Sequence, residues 1–176
     1  MRVITAFALA VLIHELGHVT VARILGVPLI SFSKIITGLS MQFDFSRASF
    51  FREALVHLGG SLFGVLSAAL AALLGGRFFL TYAGISLTFA AVNLLPLSSF
   101  DGAGILAALL SAFFLPDTVW TIMQTVSAVT LIFLWVGVIW IELRVGANIG
   151  LIAFACALMV KTFFEEQGQG LSSPGL

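Results

Sequence analysis

The stretch AVLIHELGHVTVA, Ala10 to Ala22, sets two histidines and a glutamate inside a run that is otherwise almost wholly apolar. Hydrophobicity extends on both sides of it, so that residues 3 to 25 read as one helix of membrane-spanning length. An ionisable side chain in hydrocarbon is costly unless it is paired or used. On a helix, positions i and i+4 share a face, so His14 and His18 point the same way, with Glu15 beside them.

The composition explains why this helix has a membrane for its setting. Of the 176 residues, 60% are hydrophobic and 9% charged, and the mean hydropathy is +1.16. That is far outside the balance of a soluble domain. The chain therefore reads as an all-α polytopic membrane protein, with room for about five to six spans at about 20 residues each. Residues 1 to 163 form a single membrane-embedded domain, with further apolar segments at 54 to 75, 78 to 95, 103 to 115, 118 to 141 and 146 to 163. Gly75-Gly76-Arg77 is a tight turn. Trp120 and Trp140 fall near the two ends of one span, as interfacial aromatic rings do. From residue 164 the chain is polar and rich in glycine and serine, which predicts a disordered tail. Arg2 ahead of an apolar run imitates a signal peptide, but the run continues through Leu25 and reads as a retained span.

Eight basic and eight acidic residues cancel, leaving no basic field for nucleic acid. The single cysteine, Cys156, excludes an intramolecular disulfide and reads as a small apolar filler. Arg23, Lys34, Arg47, Arg52 and Lys161 fall on one side of the membrane, and Arg2, Arg77 and Arg144 on the other. The positive-inside rule then places the N-terminus outside and residues 26 to 53 facing the cytoplasm.

That 26 to 53 connection contains PLISFSKIITGLSMQFDFS, which alternates apolar and polar residues on both sides of Thr37-Gly38. The alternation predicts a β-hairpin with strands at 30 to 36 and 39 to 45. Phe32, Phe43, Phe45, Phe50 and Phe51 suggest that it dips into the bilayer edge, where its backbone must be paired or shielded. A plain interfacial loop is the alternative.

Two histidines one helical turn apart with a glutamate after the first form the H-E-x-x-H pattern, in which both imidazoles reach one metal ion. The competing explanation is a pair of satisfied histidines packed between helices. By helical rise, His14 lies roughly 16 Å past Val3, within a hydrocarbon core about 30 Å thick. Catalytic zinc usually takes three protein ligands, so a third donor is required. The best donor lies in AVNLLPLSSFDGAGIL, residues 91 to 106, where Asn93, Pro96 and Asp101-Gly102 interrupt an apolar region. Asp101 is the aspartate flanked on both sides by membrane-length apolar sequence, although it could instead cap the 103 to 115 helix. His57 opens the next span and reads as interfacial rather than as a ligand.

His14-Glu15-Leu16-Gly17-His18 followed by Asn93-x-x-Pro96-x-x-x-x-Asp101-Gly102 resembles the site-2 protease family of intramembrane zinc metalloproteases, peptidase family M50. The second motif's spacing is most similar to the branch containing the sporulation factor protease. The resemblance covers the chain through about residue 110. It implies a bacterial cell membrane protein with zinc (Zn2+) on His14, His18 and Asp101, Glu15 as catalytic base, Asn93 and Pro96 lining the substrate site, and a re-entrant β-element at the hairpin. A transmembrane protein is the implied substrate, the lipid bilayer the setting, and a regulatory membrane partner the implied control, since no PDZ insertion or cystathionine-β-synthase-type tail fits. One departure stands out: family members often carry a G-P-x-x-N type motif where this chain has Gly60-Ser61-Leu62-Phe63-Gly64. Gly60 and Gly64 suit close helix packing and need no chemistry.

Two other classes remain open at this level. A zinc or other cation transporter would also place histidines and aspartate at mid-membrane, yet has no need of Glu15. A catalytically inactive helix-binding membrane scaffold is the other.

Overall fold

The computed structural model describes residues 2–35, 38–98, 100–146 and 148–170. Among these it has six helices and one small sheet: α1 (Arg2–Leu25), β1 (Leu29–Ile35), β2 (Gly38–Phe43), α2 (Phe50–Leu74), α3 (Gly76–Asn93), α4 (Asp101–Ser111), α5 (Pro116–Val145) and α6 (Ile149–Gly170). Local sequence accounts for most of the boundaries. After α1, Gly26 takes φ 70°, its N–H donates to the Arg23 carbonyl at 3.2 Å, and Val27 N–H donates to Ala22 at 2.8 Å. This paired closure is a Schellman motif, and its apolar contact is present because Val27 packs on Ala22 and Val56. At the start of α2, Ser49 Oγ accepts from the Arg52 N–H at 3.4 Å, with Glu53 in the first turn. Between α2 and α3, Gly75 and Gly76 both adopt positive φ, 69° and 83°, reversing the chain where a side chain would be strained. Pro116 opens α5 at a position where its missing N–H is not needed.

Among the described residues, three helices are individually long and apolar enough to cross a membrane: α1, α2 and α5. Of the five to six expected spans these three stand out by length and composition, with Asp101–Ser111 and Ile149–Val160 as shorter apolar helices. The 78 to 95 and 103 to 115 segments become α3, of 18 residues, and α4, of 11, with residues 94–98 and Phe100 outside both helices. Pro96 explains the break, since it has no N–H to donate and disfavours helical backbone at Leu95. The tail expected from residue 164 is corrected, because α6 runs on to Gly170. Glu165, Glu166 and Gln167 are good helix formers, and extending an existing helix needs no new nucleus. Residues 171–176 lie outside the described residues. Cys156 lies in α6, as a small apolar helix residue, and is exposed on its surface.

Helices α1, α2, α3 and α4 pack together, α5 leans on α4, and α6 on α5. The interior is built from small residues: Ala6, Ala10, Ala68, Ala71 and Ala83 surround Tyr82 in one cluster. Such residues let helix backbones approach in a medium where lipid is as apolar as the core. The tightest approach is at Gly17 and Gly59, where α1 and α2 leave no space for a side chain on either glycine. Hydroxyls bond α2 to α3: Ser61 Oγ to the Ala90 carbonyl at 3.3 Å, Ser86 Oγ to the Gly64 carbonyl at 3.0 Å, and Ser67 with Tyr82 at 2.7 Å.

The hairpin is antiparallel, pairing Leu29 with Phe43 and Ile35 with Gly38, with an irregularity between Leu29 and Ser31. Gly38 thus belongs to the second strand. Thr37, half of the expected turn, lies outside the described residues. At the root, Asp44 N–H donates to the Pro28 carbonyl at 2.9 Å, and Phe43 and Phe45 pack on Ala22, Val27 and Val56. Phe50 and Phe51 remain exposed.

The glycine crossing gives a direct stability test. A Cβ at Gly59 would lie 2.9 Å from the Gly17 carbonyl oxygen and 2.9 Å from Val21 Cγ2, whereas one at Gly84 meets nothing within 4 Å. Gly59→Ala is expected to destabilise the protein by about 1–3 kcal/mol in detergent, and Gly84→Ala to be neutral or stabilising by up to about 1 kcal/mol. Paired thermal unfolding curves of the two variants measure both.

Candidate metal centre

The crossing of α1 and α2 brings the histidine-bearing face of α1 against the middle of α2. His14 and His18 are both buried, their rings 4.8 Å apart between centroids and nearly perpendicular at 82°. His18 is oriented from α2: its Nδ1–H donates to the Val56 carbonyl at 2.8 Å. With the proton on Nδ1, Nε2 carries the lone pair and faces the interior, the arrangement that typically orients a metal-binding histidine. The Phe89 ring of α3 meets the His14 ring edge to face at 5.0 Å.

The third donor arrives from the break between α3 and α4. Residues 94–98 and Phe100 are held compactly, with Leu97 fully buried, Phe100 N–H donating to the Leu97 carbonyl at 2.8 Å, and Ser127 Oγ of α5 donating to the Pro96 carbonyl at 3.3 Å. Gly102 packs so tightly on the Leu94 and Leu95 carbonyls that a side chain could not be accommodated. The N-cap of α4 is Phe100, with no side-chain cap bond, and Asp101 is the first helical residue. Its carboxylate therefore does not cap the helix. Instead Asp101 Oδ2 lies 3.0 Å from His14 Nε2 and 3.3 Å from His18 Nε2, and the two Nε2 atoms are 3.2 Å apart.

These separations fit a metal ion. Zinc bonds of about 2.0–2.1 Å in a tetrahedron put neighbouring ligand atoms about 3.3 Å apart. Three acceptor atoms crowded together in a buried, apolar setting repel one another, and a divalent cation among them converts that repulsion into attraction. His14 Nδ1 has no hydrogen-bond partner among the described residues, and Asp101 Oδ2 meets nothing polar there besides the two imidazoles. His14, His18 and Asp101 are the one group of three such side chains that could hold a metal among those residues. Glu15, half-buried next to His14, is electrostatically coupled to all three.

Asn93 and Pro96 are placed differently. Asn93 Nδ2 donates to the Phe89 carbonyl of its own helix at 2.9 Å, and the residue lines a cavity of about 590 Å³ with Phe7, Phe89, Phe100 and Phe154. Pro96 stands in the irregular segment, and its carbonyl is engaged by Ser127.

Two residues were given no site role from sequence. Gly60 was expected to serve packing alone, yet a Cβ there would collide with His18 Nε2 and come within 2.7 Å of His14 Nε2. Its missing side chain is what leaves room at the donor atoms, while Gly64, whose Cβ would sit 3.3 Å from Ala90 Cβ, faces α3. His57, expected at an interface, lies two turns inside α2, half-buried, with its ring against Phe45 and Gly104. Neither was readable without knowing which helix crosses which.

The fold is shared with a solved site-2 protease. That protein, "Site-2 Protease from Methanocaldococcus jannaschii", superposes with a TM-score of 0.65 at 19% sequence identity, over 99% of this chain and 79% of its own. No protein-family model and no curated protein matches the sequence. The site-2 protease fold therefore rests on the arrangement of helices and hairpin, and the donor set on this chain's own geometry.

Metal retention tests that geometry. Purified wild-type protein is expected to carry one zinc, measured by inductively coupled plasma mass spectrometry. Gly60→Ala should weaken zinc affinity by roughly 10–100-fold in chelator competition, the range seen when groups supporting a ligand are disturbed.

Proposed function

We propose that this protein is an intramembrane zinc metalloprotease of the site-2 type, which hydrolyses peptide bonds within or near transmembrane segments of membrane-tethered substrates. One observation carries the proposal: Asp101, 83 positions after His18 in the chain, meets both imidazoles of the H-E-x-x-H turn at 3.0 and 3.3 Å, with Glu15 alongside. The shared fold supports it at the level of the family. The spacing of Asn93, Pro96 and Asp101-Gly102 is the ground for placing the chain beside the sporulation factor protease branch, in a bacterial cell membrane.

Zinc bound by His14, His18 and Asp101 supplies Lewis-acid polarisation of the scissile carbonyl and acidifies a water. The chain's own residues divide the remaining work. Glu15 accepts a proton as the water oxygen adds to the carbonyl carbon, and returns it to the amide nitrogen as the C–N bond breaks. His18 is held in a single tautomer by Val56, and Asp101 in place by the Gly102 contact, so the donors are arranged before a substrate arrives. Asn93 borders the approach. A helical substrate hides its peptide bonds and must unwind to be cut. The unpaired edges of the two-stranded sheet provide substitute backbone hydrogen bonds for the extended segment. With the N-terminus outside, residues 26 to 53 receive the substrate from the cytoplasmic side, and a membrane partner controls access.

Glu15→Gln separates metal binding from chemistry. The variant is expected to keep its zinc and to lose about 10²–10⁴-fold in cleavage rate. Co-expression of wild type and variant with quantitative membrane proteomics reads this out as transmembrane-segment fragments that accumulate with wild type alone. Equal fragment levels would remove Glu15 from its assigned role.

A further inference from the structure

The third histidine of the chain has no part in the chemistry above, yet it stands between the hairpin and the metal centre. His57 lies on α2 immediately after Val56, whose carbonyl orients His18, and three residues before Gly60, which makes room for both donor nitrogens. On one side its ring meets Phe45 of the hairpin root, 5.7 Å between centroids and tilted 33°. On the other side it is pressed against α4 at Gly104, where an added Cβ would come within 2.6 Å of His57 Cε1 and Nδ1. Gly104 follows Asp101 by three residues, one turn along the same helix, and His57 is within electrostatic range of Asp101 and His18.

Packing alone does not explain an imidazole here. A phenylalanine would make the same aromatic contact without the desolvation cost of two ring nitrogens. His57 has no hydrogen-bond partner among the described residues, and its half-buried ring nitrogens are not among the fully enclosed polar atoms, so they are open to one. An imidazole offers one donor and one acceptor, so it can meet either a peptide N–H or a peptide carbonyl. We propose that His57 is a substrate-positioning group, hydrogen-bonding the backbone of the extended segment where it passes from the hairpin root to the metal centre. This inference rests on the protease function proposed above.

The root geometry places that contact. Phe43 and Phe45 are anchored on Val27 and Val56, and the Asp44 N–H is already occupied by the Pro28 carbonyl. Phe45 and His57 thus stand side by side between the hairpin root and α4, and of the two side chains His57 is the one that can bond to a backbone.

The test uses zinc-loaded full-length protein in detergent and two probes: acetohydroxamate, which engages a metal but has no peptide, and an apolar tripeptide ending in a hydroxamate. His57→Phe, and independently His57→Leu, should weaken the tripeptide hydroxamate about fivefold, the loss of one hydrogen bond, and leave acetohydroxamate unchanged. His57→Gln, which keeps a donor and an acceptor, should restore tripeptide binding to within about twofold of wild type. Unchanged tripeptide affinity in both His57→Phe and His57→Leu overturns the inference, and so does an equal loss for both probes, which would make His57 part of the metal centre's structure. If wild type binds neither probe, the metalloprotease proposal itself fails and takes this one with it.

Discussion

The structure depends on holding three mutually repelling acceptor atoms together where water does not compete. Two imidazole nitrogens and a carboxylate oxygen meet at 3.0–3.3 Å inside a bundle whose remaining interior is mostly alanine and glycine. No single helix can do this. One turn of α1 supplies two donors, but the third must come from a chain break, because a side chain at the start of a helix can project along the axis toward a neighbouring face. Pro96 and Gly102 create that break and let it close tightly. The Gly17–Gly59 crossing brings α2 close enough for Val56 to orient His18 and for Gly60 to leave space at the nitrogens.

This division of labour explains what sequence could and could not reveal. The spacing of His14, Glu15 and His18 is local, set by helical periodicity, and so is visible in a string of letters. Asp101 was discernible for a different reason: a charged residue between long apolar stretches needs a partner, and the two histidines needed a third. Gly60 and His57 gave no such sign. Their roles come from the angle at which α2 crosses α1 and α4, which no periodicity encodes, so one read as packing and the other as interfacial. Helix ends followed the same rule. Ser49, Gly26 and Pro116 mark boundaries through their own chemistry, and Pro96 marks the division between the 78 to 95 and 103 to 115 segments that become α3 and α4.

The packing also separates the molecule into a centre and a periphery. Helices α1 to α4 are tied by close glycine contacts and by the hydroxyl bonds from Ser61, Ser67 and Ser86 to neighbouring helices or backbone. In α5, by contrast, large side chains such as Phe133, Val136, Ile139 and Trp140 are exposed, and its polar links to the site run through Ser127 to Pro96.

On this reading a metal ion is held by two imidazoles from α1 and one carboxylate from the start of α4. Zinc K-edge X-ray absorption on the purified protein in detergent tests it most directly. Two imidazole nitrogens at about 2.0–2.1 Å together with oxygen ligands are expected, with a changed oxygen shell in Asp101→Asn. A spectrum lacking imidazole scattering, or one that Asp101→Asn leaves unaltered, would contradict it.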